Sequence, residues 1–206
     1  MRNYLFVGLL FVFVVTATAC SNPKKRPVDH SAVPPIERYQ KKLQSFYDDA
    51  KTSPLNRNER KGFEGIKFFP IDTTYLIKAH FEKLDNQEEI QMPMTGGEES
   101  LYVKYAQIHF ELNDENHQLF LYQSQDLIHE PGYENHLFLP FLDATNGSET
   151  YGGGRYLDLE NPYADTIVVN FNLAYHPYCA YAERYSCPIV PFENLLETRV
   201  EAGVKF

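Results

Sequence analysis

Near Gly62 the apolar residues of this 206-residue chain stop recurring every three or four positions and begin to recur every two. Before that point Ile36, Tyr39, Leu43, Phe46, Tyr47 and Ala50 form one helical stripe, which predicts a helix over 36–50 closed by Thr52-Ser53-Pro54. After it, Ile66–Phe69 reads as a short strand broken by Pro70. Tyr75, Ile77, Ala79 and Phe81 then alternate with Leu76, Lys78, His80 and Glu82, the mark of a half-buried strand. Leu101–Leu112 continues the alternation with a phase break near Ala106 that predicts a bulge, and Asn113–Asn116 turns the chain into a partner strand at His117–Gln123. Leu137–Leu142 and Thr166–Phe171 are two further apolar strands. With 15 Tyr, 15 Phe and no Trp, the composition favours strands. The expected fold is mainly β (α+β): an antiparallel sheet or partly open barrel with one N-terminal helix, in a single domain over 36–206.

The first residues carry an address. Met-Arg-Asn precedes a 16-residue apolar run from Tyr4 to Ala19, ending in small residues before Cys20. That order is the pattern of a secretory signal. A spanning helix needs about 20 apolar residues, so a permanent anchor is the alternative and would be short. Ala17-Thr18-Ala19-Cys20 resembles a bacterial lipobox, with Ala17 where Leu is usual. The expectation is a signal peptide over 1–19, lipid on Cys20, and a polar, proline-broken tether over 20–35 that includes Lys24-Lys25-Arg26 and Pro34-Pro35. Its place is the cell envelope, on the inner or outer membrane, facing the periplasm or the exterior.

Lipidation of Cys20 leaves Cys179 and Cys187, an even pair in an exported chain, for which a disulfide is expected. Closing so short a loop contributes about 2–3 kcal/mol in the chain-entropy view. Removal of residues 1–19 takes away only Arg2 among the charges, leaving 18 Lys+Arg against 28 Asp+Glu and a net charge of −10. A phosphate backbone requires a basic footprint, so nucleic acid is excluded as the expected partner; the partners expected are the membrane and a small-molecule ligand, with no cofactor or metal.

The least ordinary stretch is the C-terminal third. It holds Asp143-Ala144-Thr145-Asn146-Gly147-Ser148-Glu149-Thr150-Tyr151-Gly152-Gly153-Gly154-Arg155-Tyr156, then Asn170-Phe171-Asn172-Leu173-Ala174-Tyr175-His176-Pro177-Tyr178-Cys179-Ala180-Tyr181. Cys187-Pro188-Ile189-Val190-Pro191-Phe192-Glu193-Asn194 and Ala202-Gly203-Val204-Lys205 follow. These four blocks, with Phe63–Asp72 upstream, resemble a widespread bacterial family known only as a domain of unknown function. The resemblance spans about 36–206 and implies a fold and no transferable activity. Asn170, His176 and Val204 stand where that family has Asp, Asn and Glu.

Read as chemistry, Gly152, Gly153 and Gly154 permit a tight turn with exposed N–H groups, and Arg155 beside them suits a carboxylate or phosphate. The G-K-[ST] ending of a phosphate-binding P-loop is absent. The alternative is an internal partner for Arg155: Asp143, Asp158 or Glu149. His176 with Cys179 and Cys187 suits a soft metal if the thiols are reduced, or a thiol nucleophile with a base; in an exported chain the disulfide takes precedence. Asn172, Tyr175, Glu193 and Asn194 are read as pocket linings or as loop pins. The first expectation is therefore a binding module for a small polar or anionic ligand, built from Gly152–Arg155, Asn172, Tyr175, His176, Glu193 and Asn194. The second is an envelope hydrolase or transferase with His176 as base and Arg155 as charge stabiliser, for which no nucleophile is evident. The third is a structural or partner-binding envelope protein. His80, His109, His117, His129 and His136 lack metal-binding spacing and are read as structural or exposed.

Overall fold

A computed structural model describes residues 29–206. The signal segment, Cys20 and most of the tether lie outside the described residues. The chain enters through a short 3-10 turn at His30–Ala32, capped by the Asp29 carboxylate on the Ser31 N–H at 2.9 Å, and continues as α1, Val33–Asp48. Pro34 and Pro35, read above as tether breakers, sit in the first turn of this helix. A first-turn proline has no hydrogen bond to lose and a φ already suited to the helix. Ile36 and Tyr47 are buried while Ala50 lies beyond the helix end and is exposed. Tyr47 packs against Phe63 and Tyr181 with ring centroids 5.5 and 5.2 Å apart.

The sheet is built as the alternation predicts. A two-residue strand β1, Lys67–Phe68, stands apart. Then come β2, Leu76–Pro93; β3, Glu99–Leu112; β4, Glu115–Ser124; β5, His136–Phe141; β6, Arg155–Glu160; and β7, Thr166–Asn170. A final pair, β8, Val204–Lys205, joins β1 in a small separate sheet. The six long strands are all antiparallel, in the order β6-β5-β4-β3-β2-β7. The chain leaving β7 turns through Phe171–Leu173 and pairs Tyr175 with Tyr156 of β6 through two backbone hydrogen bonds of 2.9 and 3.0 Å. That contact carries the sheet most of the way to closure as a barrel.

One face of the sheet is the main core. Ile77 and Ala79 of β2, Ile108 of β3, Leu119 and Leu121 of β4, Leu137, Leu139 and Phe141 of β5, and Val169 of β7 are all buried there. Each of these Ile, Leu, Phe and Val side chains contributes about 1.5–3 kcal/mol through removal from water. The register slips between Lys104 and Ala106, so that Tyr105 and Ala106 are both buried, which is the expected bulge. The opposite face of β3–β6 is aromatic rather than polar. Tyr102, Tyr122, Phe138 and Tyr156 form a second buried cluster with Met92 and Val190, covered by the C-terminal segment.

Candidate functional site

The conspicuous sequence blocks turn out to be internal fastenings. Gly152 and Gly153 are exposed in a turn, and Gly154, at φ +91°, lies where a Cβ would meet the Phe141 carbonyl at 2.6 Å. Only glycine fits there without strain. The next residue, Arg155, opens β6 directly opposite Phe141 on the core face. Its guanidinium is wholly buried. It pairs with Asp143 at 2.7 Å and donates to the carbonyls of Val200 at 2.7 Å and Ala202 at 2.5 Å. Asp143 in turn accepts the Val200 N–H at 2.8 Å and the Thr145 hydroxyl at 2.6 Å. The expectation that Arg155 meets a ligand is thereby corrected: of the internal partners considered, Asp143 holds it, and the pair ties the 143–155 turn to the C-terminal segment.

His176 is likewise closed off, 1% exposed. Its Nε2 accepts the Tyr151 N–H at 3.2 Å, which places the proton on Nδ1, facing the Tyr181 hydroxyl at 3.0 Å. Burial, with Arg155 nearby, lowers its pKa from 6.5 to about 3. A ring so enclosed, with both nitrogens held by Tyr151 and Tyr181, does not reach a substrate, and the catalytic reading through His176 and the equally buried Arg155 is corrected on that ground. Asn172 bridges the N–H and carbonyl of Asp72 at 3.0 and 2.9 Å. Asn194 does the same for Phe120 at 2.8 and 2.9 Å and also donates to the Pro140 carbonyl at 2.7 Å. Each Asn side chain completes backbone hydrogen bonds that would otherwise be missing. Both are pins rather than pocket walls. Glu193 accepts from Lys104 at 2.8 Å and from the Tyr122 hydroxyl. Cys179 and Cys187 are joined in a disulfide with Cα atoms 6.3 Å apart, so neither sulfur is a free thiolate for a metal or a substrate.

Tyr175 is the member of the expected set that faces a cavity. That cavity, about 680 Å³, opens on the aromatic face of β3–β6. Tyr102, Phe138, Tyr156 and Tyr175 form one side; Tyr133 and Tyr178 stand at the rim, 45% and 39% exposed. Pro177 and the disulfide segment Ser186–Pro188 make the opposite wall. The rings meet at steep angles: Phe138 to Tyr156 at 4.8 Å and 74°, Tyr156 to Tyr175 at 5.9 Å and 88°. Rings so arranged make a corner rather than a flat stack. The Tyr156 hydroxyl donates to the Pro188 carbonyl and ties the two walls together.

Within this corner lies a polar group that spacing alone did not reveal. Register pairs Phe138 with Asp158, so His136, two residues earlier on the same face, is the diagonal neighbour of Asp158. Their side chains meet at 2.9 Å, His136 Nε2 to Asp158 Oδ1. His136 Nδ1 is buried without a hydrogen-bond partner. Burial first, then the Asp158 carboxylate, pushes the Tyr175 phenol well above its ordinary pKa, so it stays protonated beside that carboxylate. Asp126 and Glu130 add two more carboxylates to the lining. The signal that could have pointed here is aromatic: Tyr102, Tyr122, Phe138 and Tyr156 fall at the alternate positions that a one-faced sheet would turn toward water.

The sequence model of the family described as "Protein of unknown function (DUF1684)" matches residues 61–205. The chain belongs to the DUF1684 family. The matched span contains every residue that lines the cavity and leaves out α1. No curated protein sequence matches the chain. Among solved structures, the chain is similar to an uncharacterized protein of Haloarcula marismortui determined in solution by NMR, with a TM-score of 0.66 and 30% identity over 85% of this chain and 95% of that one. The DUF1684 domain thus has a relative of the same architecture over nearly its whole length.

Proposed function

We propose that this DUF1684 domain is a binding module that takes a small polar ligand into the aromatic cavity beneath Pro188. The observation that carries the reading is the cavity itself. Its volume of about 680 Å³ falls within the range of about 300–1,000 Å³ usual for small-molecule sites. Its walls combine rigid aromatic surface with a few polar groups, Asp158, His136 and Tyr175, as ligand sites do. A panel of small polar solutes titrated into the purified chain, read by melting temperature, tests it. A compound of the right class raises the melting point, and Asp158→Ala with Tyr175→Phe removes the rise; no shift from any compound contradicts the reading.

The same proposal places the domain at the bacterial cell envelope, tethered through lipid on Cys20. The apolar run from Tyr4 to Ala19 and the small residues before Cys20 support it. Labelled palmitate fed to expressing bacteria should enter the protein, and Cys20→Ser should abolish the label.

A further inference from the structure

We propose that the ligand of the aromatic cavity is a small organic cation bearing an ammonium group, with Asp158 as its counter-ion. The inference rests on the binding reading above and adds the chemical class. Three carboxylates, Asp126, Glu130 and Asp158, line the cavity, and among the described residues its lining contains no Lys or Arg. The positive partner that Asp158 has there is His136, which is charged only when protonated. Even with His136 protonated the three carboxylates outnumber it, so an anion entering this site would meet net negative charge and a cation would neutralise it. The surrounding rings supply the second half of cation recognition. Phe138, Tyr156 and Tyr175 meet at 74° and 88° and enclose a corner, and aromatic faces carry the negative part of their quadrupole toward a cation held against them. A metal ion is the poorer occupant, because it requires several ligands converging on one point. Among the described residues no three His, Cys, Asp or Glu side chains are placed to hold one. The acidic balance of the whole chain, 28 Asp+Glu against 19 Lys+Arg, draws cations toward the site from a distance.

Choline and its uncharged carbon isostere 3,3-dimethylbutan-1-ol separate charge from shape. Calorimetric titration of the full-length protein with each, at low ionic strength, should give choline an affinity at least tenfold higher. Asp158→Asn should erase that tenfold preference, so that the ratio of the two affinities falls to about one, in protein shown by its melting curve to be folded. The double variant Asp126→Asn/Glu130→Gln, at the rim, should reduce the preference in part. Raising the salt concentration should weaken choline and leave the alcohol unaffected. Equal affinity for the two compounds, or a preference that survives all three substitutions, overturns the cation assignment and leaves the binding module standing. So does a site that ignores both compounds and takes a neutral or anionic solute from the panel. A protein that binds nothing in the panel overturns both.

Discussion

Arg155 is the residue whose role the structure changes most. A guanidinium after three glycines invites a ligand, yet here Gly154 lets the backbone pass close to Phe141 while the arginine points into the core and meets Asp143 at 2.7 Å. Removing one member of a buried pair strands the other charge without water, at a cost of about 3–5 kcal/mol. Arg155→Ala should therefore lower stability by that order in a denaturant titration, and lose any binding only together with the fold. A variant of wild-type stability that no longer binds would restore the arginine to a ligand site. His176 has a separate signature. Its folded-state pKa is depressed from 6.5 to about 3, so as pH falls through 6.5 the unfolded chain takes up a proton that the folded chain refuses. The stability held by this site is complete above 6.5 and drains away down to about 3, at roughly tenfold in the folding constant per pH unit. His176→Asn, which removes the titrating group, should flatten the fall in stability between pH 6 and pH 4. An unchanged slope would mean that His176 titrates normally in the fold.

Among the elements, the hairpin of β3 and β4 illustrates how local chemistry sets geometry. Asn113 and Asp114 alone connect the strands, with φ of 55° and 63°. A two-residue turn with both central residues in the left-handed region matches the twist of the strands it joins, and Asn-Gly is its preferred sequence. Asp114→Gly should accordingly raise stability in a denaturant titration, by up to about 1–2 kcal/mol of relieved backbone strain; a fall would show that the Asp114 side chain contributes more than its backbone costs. The elements were legible to differing degrees. Period-two alternation finds β2, β3, β4, β5 and β7 and the bulge at Ala106, because one face of each is pressed into a continuous core. It runs short on β2, which extends to Pro93 through a register shift between Lys83 and Glu88 that breaks the pattern. It passes over β6, because Arg155, a charged residue, occupies a core position there. Pro34 and Pro35 mislead in the other direction, since proline breaks a helix in its interior and starts one at its first turn.

For the molecule as a whole, the candidate site lies on the face of the sheet that the alternation assigns to solvent. That is why single residues were a poor guide to it. Tyr102, Phe138, Tyr156, Asp158 and His136 come together only through the pairing of β3 to β6, and the roof comes from the disulfide segment and Pro188, some thirty to ninety residues away in the chain. Tyr175 was legible because the bridge to β6 follows the strand that alternation already finds. The blocks that look functional, Gly152–Arg155, Asn172 and Glu193–Asn194, instead close the barrel and fasten its C-terminal cover, and that cover makes the outer face of the sheet into a cavity. Tyrosine rings report on this directly. With ring-labelled tyrosine, NMR spectra recorded during titration with the ligand panel should show the resonances of Tyr102, Tyr156 and Tyr175 moving together while Tyr151, beside the glycine turn, stays still. Movement of Tyr151 alone, with the cavity tyrosines unchanged, would contradict the assignment of the cavity and return the site to the glycine turn.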